Sequence, residues 1–373
     1  MLNPIALAAA GFLALAAPAA VPAAPAAPAA PAAPAAPTVH AWGLEEIPAS
    51  LDWQIRPSDR TDAAPGVVDF QIGFHSEHHT WMNGRDAPLS ELSGLTAAQL
   101  ASDGQPVAFV IRRDAGDFRC KGATSNGRGI GTCVYAANPA FPAALAKRGV
   151  AGGLEALPQF ELAVNDIGLA YLDELKRERY ATPTVDDLVK AGTHGAGLKQ
   201  LLAMDAAGYR FGDVATFVHA RDHGVSATYI QALKAAGYTH LTAADLVRLR
   251  DHGVSATYVG ELKAAGYGAF SAEELTHMRD HGVSGGFVAD LKAAGYTGLT
   301  ASELAYLRDH GVSGGFVADL HALGYDRVPA ADLARLRDHG ISAGFVSVAN
   351  QGGGRLSPDE LIQLRDRGGP RRN

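Results

Sequence analysis

The chain has only two cysteines in 373 residues, no surplus of positive charge and no long apolar run beyond its first residues. Each shortage excludes something. Two cysteines cannot build a disulfide-dense scaffold, and Cys120 and Cys133 lack the CxxC spacing and companion ligands of a redox or metal pair. A net charge of −7, with both signs interspersed, supplies neither the basic face of a nucleic-acid binder nor a polybasic membrane patch. There is no HExxH motif. The glycines from Gly122 to Gly131 lack the Lys-Ser/Thr of a phosphate loop. The sequence therefore assigns no catalytic residue and no cofactor.

The N-terminus supplies the one apolar run. Ile5 to Ala17 has the length of a signal-peptide core, and Ala17-Pro18-Ala19 offers small residues for cleavage. Residues 1–20 are expected to be a signal peptide and the protein to be exported, periplasmic or secreted. Because no Lys or Arg precedes the run, an uncleaved inner-membrane anchor stays open as the alternative. Residues 21–41 form a Pro/Ala linker. Proline at every third position from Pro22 to Pro37 forbids helix and favours an extended rod on the order of 50 Å long.

From 42 to 160 the apolar residues recur with period two. Leu51, Trp53 and Ile55 alternate, as do Val68, Phe70, Ile72 and Phe74, and Val107, Phe109 and Ile111. This predicts a small antiparallel β module, with apolar side chains on one sheet face. Two short helices are expected within it. One lies near Thr96 to Leu100; the other opens at Asn138-Pro139, with Asn138 as N-cap, and ends at Gly149.

Asn126-Gly127 is a hairpin signal, since a type I′ turn needs positive φ at both central residues. Counting outward from it places Cys120 opposite Cys133 and Phe118 opposite Tyr135. The two cysteines fall in a non-hydrogen-bonded pair, where Cα atoms stand ~4.5 Å apart. A disulfide is expected, worth roughly 3 kcal/mol on the chain-entropy model. The glycines at 122, 127, 129 and 131 open the way to a slipped register.

The C-terminal half is periodic. Arg-Asp-His-Gly recurs at 221, 250, 279, 308 and 337, a spacing of 29, with a degenerate copy at Arg365. Residues 161–368 are read as about seven 29-residue helix-turn-helix repeats, an α-solenoid with divergent end units; a basic tail follows at 369–373. In one unit Ser226 caps a helix that Gly237 and Tyr238 close. Thr242 with Asp245 then opens a second helix, which ends at His252, Gly253 and Val254. The fold class is thus α+β, a small antiparallel β module followed by the solenoid.

The LTxxELxxLRDHGVSxxYVxxLKAAGY unit resembles repeats of uncharacterised exported proteobacterial proteins. Similar arrays follow the peptidase domain of membrane metallopeptidases resembling penicillinase regulators. The segment from Val107 to Leu145, with Arg112-Arg113-Asp114-Ala115-Gly116 and Asn138-Pro139-Ala140-Phe141, resembles a β module found ahead of such repeats. The resemblance implies an envelope setting. The peptidase activity does not transfer, because its motif is absent here.

Two candidate sites stand out. The histidine column of His194, His223, His252, His281, His310 and His339 falls at helix C-caps, where imidazole can bond the last carbonyls and complement the helix dipole. The alternative is a ligand-facing or pH-responsive ladder. Stacked helices lie ~10 Å apart, too far for successive column members to share a metal ion. The second candidate is His75, Glu77 and His79. On one strand they share a face but spread over ~13 Å, so a metal would need a bend between them. The expected function is non-enzymatic: an envelope scaffold or sensor-associated module binding a protein or peptide along the repeats. The alternative is an enzyme or metal-binding protein with its site near His75 to His79.

Overall fold

The computed structural model describes residues 46–61, 64–75, 80–268 and 270–369. The expected signal peptide, the Pro/Ala linker, Glu77, His79 and the tail from 370 onward lie outside the described residues.

The first half is a seven-stranded antiparallel sheet. Its strands are β1 (Leu51–Pro57), β2 (Val67–His75), β3 (Thr80–Pro88), β4 (Leu92–Ser93), β5 (Asp103–Ile111), β6 (Gly116–Ser125) and β7 (Arg128–Ala137), in the order β3-β2-β1-β7-β6-β5-β4. The period-two residues Leu51, Trp53, Ile55, Phe70, Phe109, Ile111 and Phe118 are all buried together. Asn126 and Gly127 have φ of 51° and 80°, as a type I′ turn requires. Ser125 then pairs with Arg128 and Cys120 with Cys133, and a disulfide joins the two cysteines.

The hairpin glycines have a definite use. The Trp53 indole, whose Nε1 donates to the Lys121 carbonyl at 3.1 Å, lies across them. A Cβ at Gly122 would meet its ring at 2.6 Å, one at Gly129 at 2.9 Å and one at Gly131 at 2.8 Å. Only glycine leaves room for this indole, so these positions fix the packing and do not loosen the register.

Of the two expected short helices, one lies within the sheet, between β4 and β5, and the other follows the last strand β7. Helix α1 (Ala97–Ala101) carries a capping box between Thr96 and Gln99, and its end receives the hairpin turn through Gly127 N–H to the Leu100 carbonyl. Helix α2 (Phe141–Ala146) begins later than its sequence suggests. Asn138 does not cap it: the Asn138 carboxamide oxygen instead accepts from Ala140 N–H, making a turn that holds Pro139 outside the helix.

The array is two rows of short helices. One row is α3 (Ala156–Val164), α5 (Val185–Thr193), α7 (Val214–Asp222), α9 (Ala243–Asp251), α11 (Ala272–Asp280), α13 (Ala301–Asp309), α15 (Ala330–Asp338) and α17 (Pro358–Asp366). The other is α4 (Leu169–Arg177), α6 (Leu198–Ala206), α8 (Ala227–Ala235), α10 (Ala256–Ala264), α12 (Gly285–Ala293), α14 (Gly314–Ala322) and α16 (Ala343–Ala349). Each helix packs on the next of its own row. Most have nine residues, ~14 Å of helix, too short to persist alone. Burial of Leu246, Leu249, Leu275, Met278, Leu304 and their counterparts between units provides the missing stability.

Caps set the phase. Ser226 accepts from Tyr229 N–H, while Tyr238 N–H reaches the Leu233 carbonyl and Gly237 N–H that of Lys234, closing α8 in a Schellman motif. Capping boxes open α9 (Thr242 with Asp245), α11 (Ser271 with Glu274), α13 (Thr300 with Glu303) and α17 (Ser357 with Glu360). At α15 Pro329 stands in the cap position, and no side chain caps that helix.

The sheet and the array are joined by the RRDAG and NPAF segments. Asp114 accepts from Leu169 N–H at the start of α4, and Gln159 of α3 donates to the Ala115 and Asn138 carbonyls. Phe160 of α3 packs edge-on against Phe118 and Tyr135. Arg113 pairs with Glu91 on one side and Asp166 on the other. The sheet's core continues into the first helix of the array.

Candidate functional site

The Arg-Asp-His-Gly column resolves into three separate inter-unit contacts. Each histidine holds the helix C-cap, but its ring does not bond the carbonyls of its own helix. Nδ1 instead faces the aspartate one unit ahead: His194 with Asp222, His223 with Asp251 and His252 with Asp280, all at 2.7 Å. His281 with Asp309, His310 with Asp338 and His339 with Asp366 continue the series at 2.8, 2.9 and 3.0 Å. Six rungs thus run along one edge of the array.

The arginines do something else. Arg250, Arg279, Arg308 and Arg337 lie over the rings of Tyr229, Tyr258, Phe287 and Phe316, 4.8–5.1 Å from ring centre to guanidinium carbon. Arg308 also donates to the Gly282 carbonyl, and Arg337 to that of Gly311, one unit back. A planar cation with several donors suits both tasks at once, which a lysine could not perform. The glycine supplies the positive φ that ends the helix, as at Gly253 (68°).

A tyrosine column ties the other end of each unit. The hydroxyls of Tyr209, Tyr238, Tyr296 and Tyr325 donate to the carbonyls of Leu241, Phe270, Val328 and Leu356, each next to the N-cap of a helix in the following unit. Burial pushes the Tyr209 and Tyr296 phenols up to about 12, so both remain neutral donors.

Two further surface features lie on the array. Between α10 and α12 an open groove of about 620 Å³ is lined by Ala264, Ala265, Gly285, Gly286, Ala289 and Ala293, with Glu261 and Lys292 at its sides. Gly285 and Gly286 stand where the preceding unit has Ala256 and Thr257, and the next unit repeats them as Gly314 and Gly315; at Gly285 a Cβ would meet the Glu261 side chain at 2.3 Å. Near the start of the array, Glu174, Glu178 and Asp205 bring three carboxylates together. Arg177 and Arg210 both lie within ion-pair distance of this cluster and neutralise much of its charge, which makes it a structural network.

The remaining expected sites are placed as follows. Cys120 and Cys133 are buried in the sheet and bonded to each other. His75 is the last residue of β2, paired with Thr80 of β3, and its two companions Glu77 and His79 lie outside the described residues. Sequence reasoning passed over two further histidines. His219 lies against His223 and His277 against His281, ring centroids 4.4 Å apart in both pairs. The signal was present as H-x-x-x-H at the end of α7 and of α11. Comparison with family models, curated proteins and solved structures yields no match to the chain.

Proposed function

We propose that the protein is a non-enzymatic scaffold of the cell envelope, whose helical array binds a protein or peptide. The observation that carries this reading is the groove between α10 and α12. Its volume falls in the range of ligand-binding clefts, and its floor of alanine methyls and the exposed Gly286 backbone admits an extended segment closely. Glu261 and Lys292 offer opposite charges at its sides to orient such a segment. Stacked helix pairs make surfaces of this kind readily, because each unit contacts only its neighbours and can vary outside its caps and columns.

The exported location is part of the same proposal. The disulfide is compatible with an oxidising compartment, and among the described residues no helix is long and apolar enough to cross a membrane. The signal-like Ile5 to Ala17 run, the Pro/Ala linker and the resemblance of the repeats to those of exported proteobacterial proteins support an envelope setting, periplasmic or secreted.

A photo-crosslinking residue at the exposed Ala289 position, in cells expressing the full chain, tests the reading. The expected result is one discrete adduct that disappears when Gly286→Trp fills the groove. No adduct of its own is expected from a crosslinker at Ser302, on the neighbouring row. Identical adducts from both positions, or none from Ala289, would contradict the proposal.

A further inference from the structure

We propose that His219–His223 and His277–His281 form two transition-metal sites, each chelating a borderline divalent cation such as Zn²⁺. This goes beyond the scaffold reading and does not depend on it.

The geometry begins with the helix. Residues four apart lie on one face of a helix, one turn removed. His219 and His277 sit in the last turns of α7 and α11, and His223 and His281 are the C-caps of the same helices. Two imidazole nitrogens bound to a tetrahedral ion at 2.0–2.1 Å stand about 3.4 Å apart. Rings with centroids 4.4 Å apart can bring two nitrogens to that spacing with little more than a side-chain adjustment.

The rungs then prepare the ligand. His223 Nδ1 faces Asp251 at 2.7 Å, and His281 Nδ1 lies 2.8 Å from both oxygens of Asp309. A carboxylate facing Nδ1 holds the proton there, which leaves the Nε2 lone pair available to a metal ion. This carboxylate–histidine arrangement is the usual support of a metal-bound imidazole. Both C-cap rings are about one-third exposed, so an ion can reach them. The helix C-terminus adds the negative end of its dipole.

The other units provide an internal comparison. His252, His310 and His339 keep the same aspartate rung, but Arg248, Tyr306 and Arg335 occupy the position four residues before. Those units hold one imidazole and offer no chelate. The two histidine pairs are separated by the intervening unit of α9, at ~10 Å per stacked helix, so each acts as a mononuclear site completed by water.

The test uses the full-length chain without an affinity tag, stripped of metal and titrated with zinc chloride by isothermal calorimetry. His219→Arg and His277→Arg copy what stands at this position in other units, so the helices are retained, as circular dichroism would verify. Each is expected to remove one equivalent of zinc, and the double variant two. His252→Gln, which alters a rung without a second imidazole, is expected to leave the stoichiometry unchanged. Asp251→Ala should weaken one equivalent 10- to 100-fold. The proposal is overturned if the double variant binds as much zinc as the parent, or if His252→Gln costs as much as His219→Arg. Unchanged affinity in Asp251→Ala would overturn the role given to the rung.

Discussion

The sheet and the array bury their apolar residues by opposite strategies. In the sheet, decisive contacts join residues far apart in the chain: Trp53 bonds Lys121, 68 residues on, and β1 sits between β2 and the last strand β7. In the array nearly every tie spans about one unit. The histidine rungs reach 27 or 28 residues and the tyrosine bonds 31 or 32. The sheet is therefore a cooperative whole in which one lost contact reaches every strand. The array is a sum of neighbour terms in which damage stays local.

This contrast can be broken open with two probes. All three tryptophans, Trp42, Trp53 and Trp81, precede the array, whereas most of the helical signal comes from it. Phe109→Ala removes the ring that packs edge-on against Trp53 at 5.0 Å. Loss of a buried phenylalanine costs ~3–5 kcal/mol. The tryptophan-fluorescence transition in denaturant should move sharply to lower concentration, with a smaller displacement of the helical circular-dichroism transition. A single coincident shift would mean that the two regions unfold as one.

A smaller effect sharpens the other side. Ser271→Ala removes one half of the capping box of α11, the bond from Glu274 N–H to Ser271 Oγ, and leaves the Ser271 backbone N–H donating to the Glu274 carboxylate. The loss should be roughly 1 kcal/mol. It should appear in the helical transition and leave tryptophan fluorescence in place.

The same contrast explains what the sequence made legible. Caps and glycines recur every 29 residues, so the helices of the array could be phased from local chemistry alone. Asn126-Gly127 likewise set the register that brings Cys120 opposite Cys133. Strand β3 was hidden, because only Ala87 of its nine residues is buried and no alternation marks it. The purpose of Gly122, Gly129 and Gly131 was hidden too, since it depends on an indole that arrives from Trp53. The α2 start was misplaced because Asn138 serves a turn, where its carboxamide also donates to the Asp114 carbonyl.

At the candidate site the columns were visible but not their partners. Nothing in a single unit says that a C-cap histidine turns away from its own helix toward the next unit's aspartate. His219 and His277 escaped notice for the reverse reason. Attention to what every unit shares passes over the two units that differ. The groove was hidden for another reason: it forms between the helices of adjacent units and is not visible within one.

An array of interchangeable units held by neighbour contacts should survive the excision of one unit. Removing residues 271–299 places Thr300 where Ser271 stood, so the caps, rungs and tyrosine bonds find equivalent partners. The shortened chain is expected to fold with the same helicity per remaining array residue and an unchanged tryptophan-fluorescence midpoint. Removing only residues 271–295 breaks the phase and should cost helicity in the units around the cut. If the in-phase deletion unfolds the array, or if the two deletions behave alike, the account is wrong.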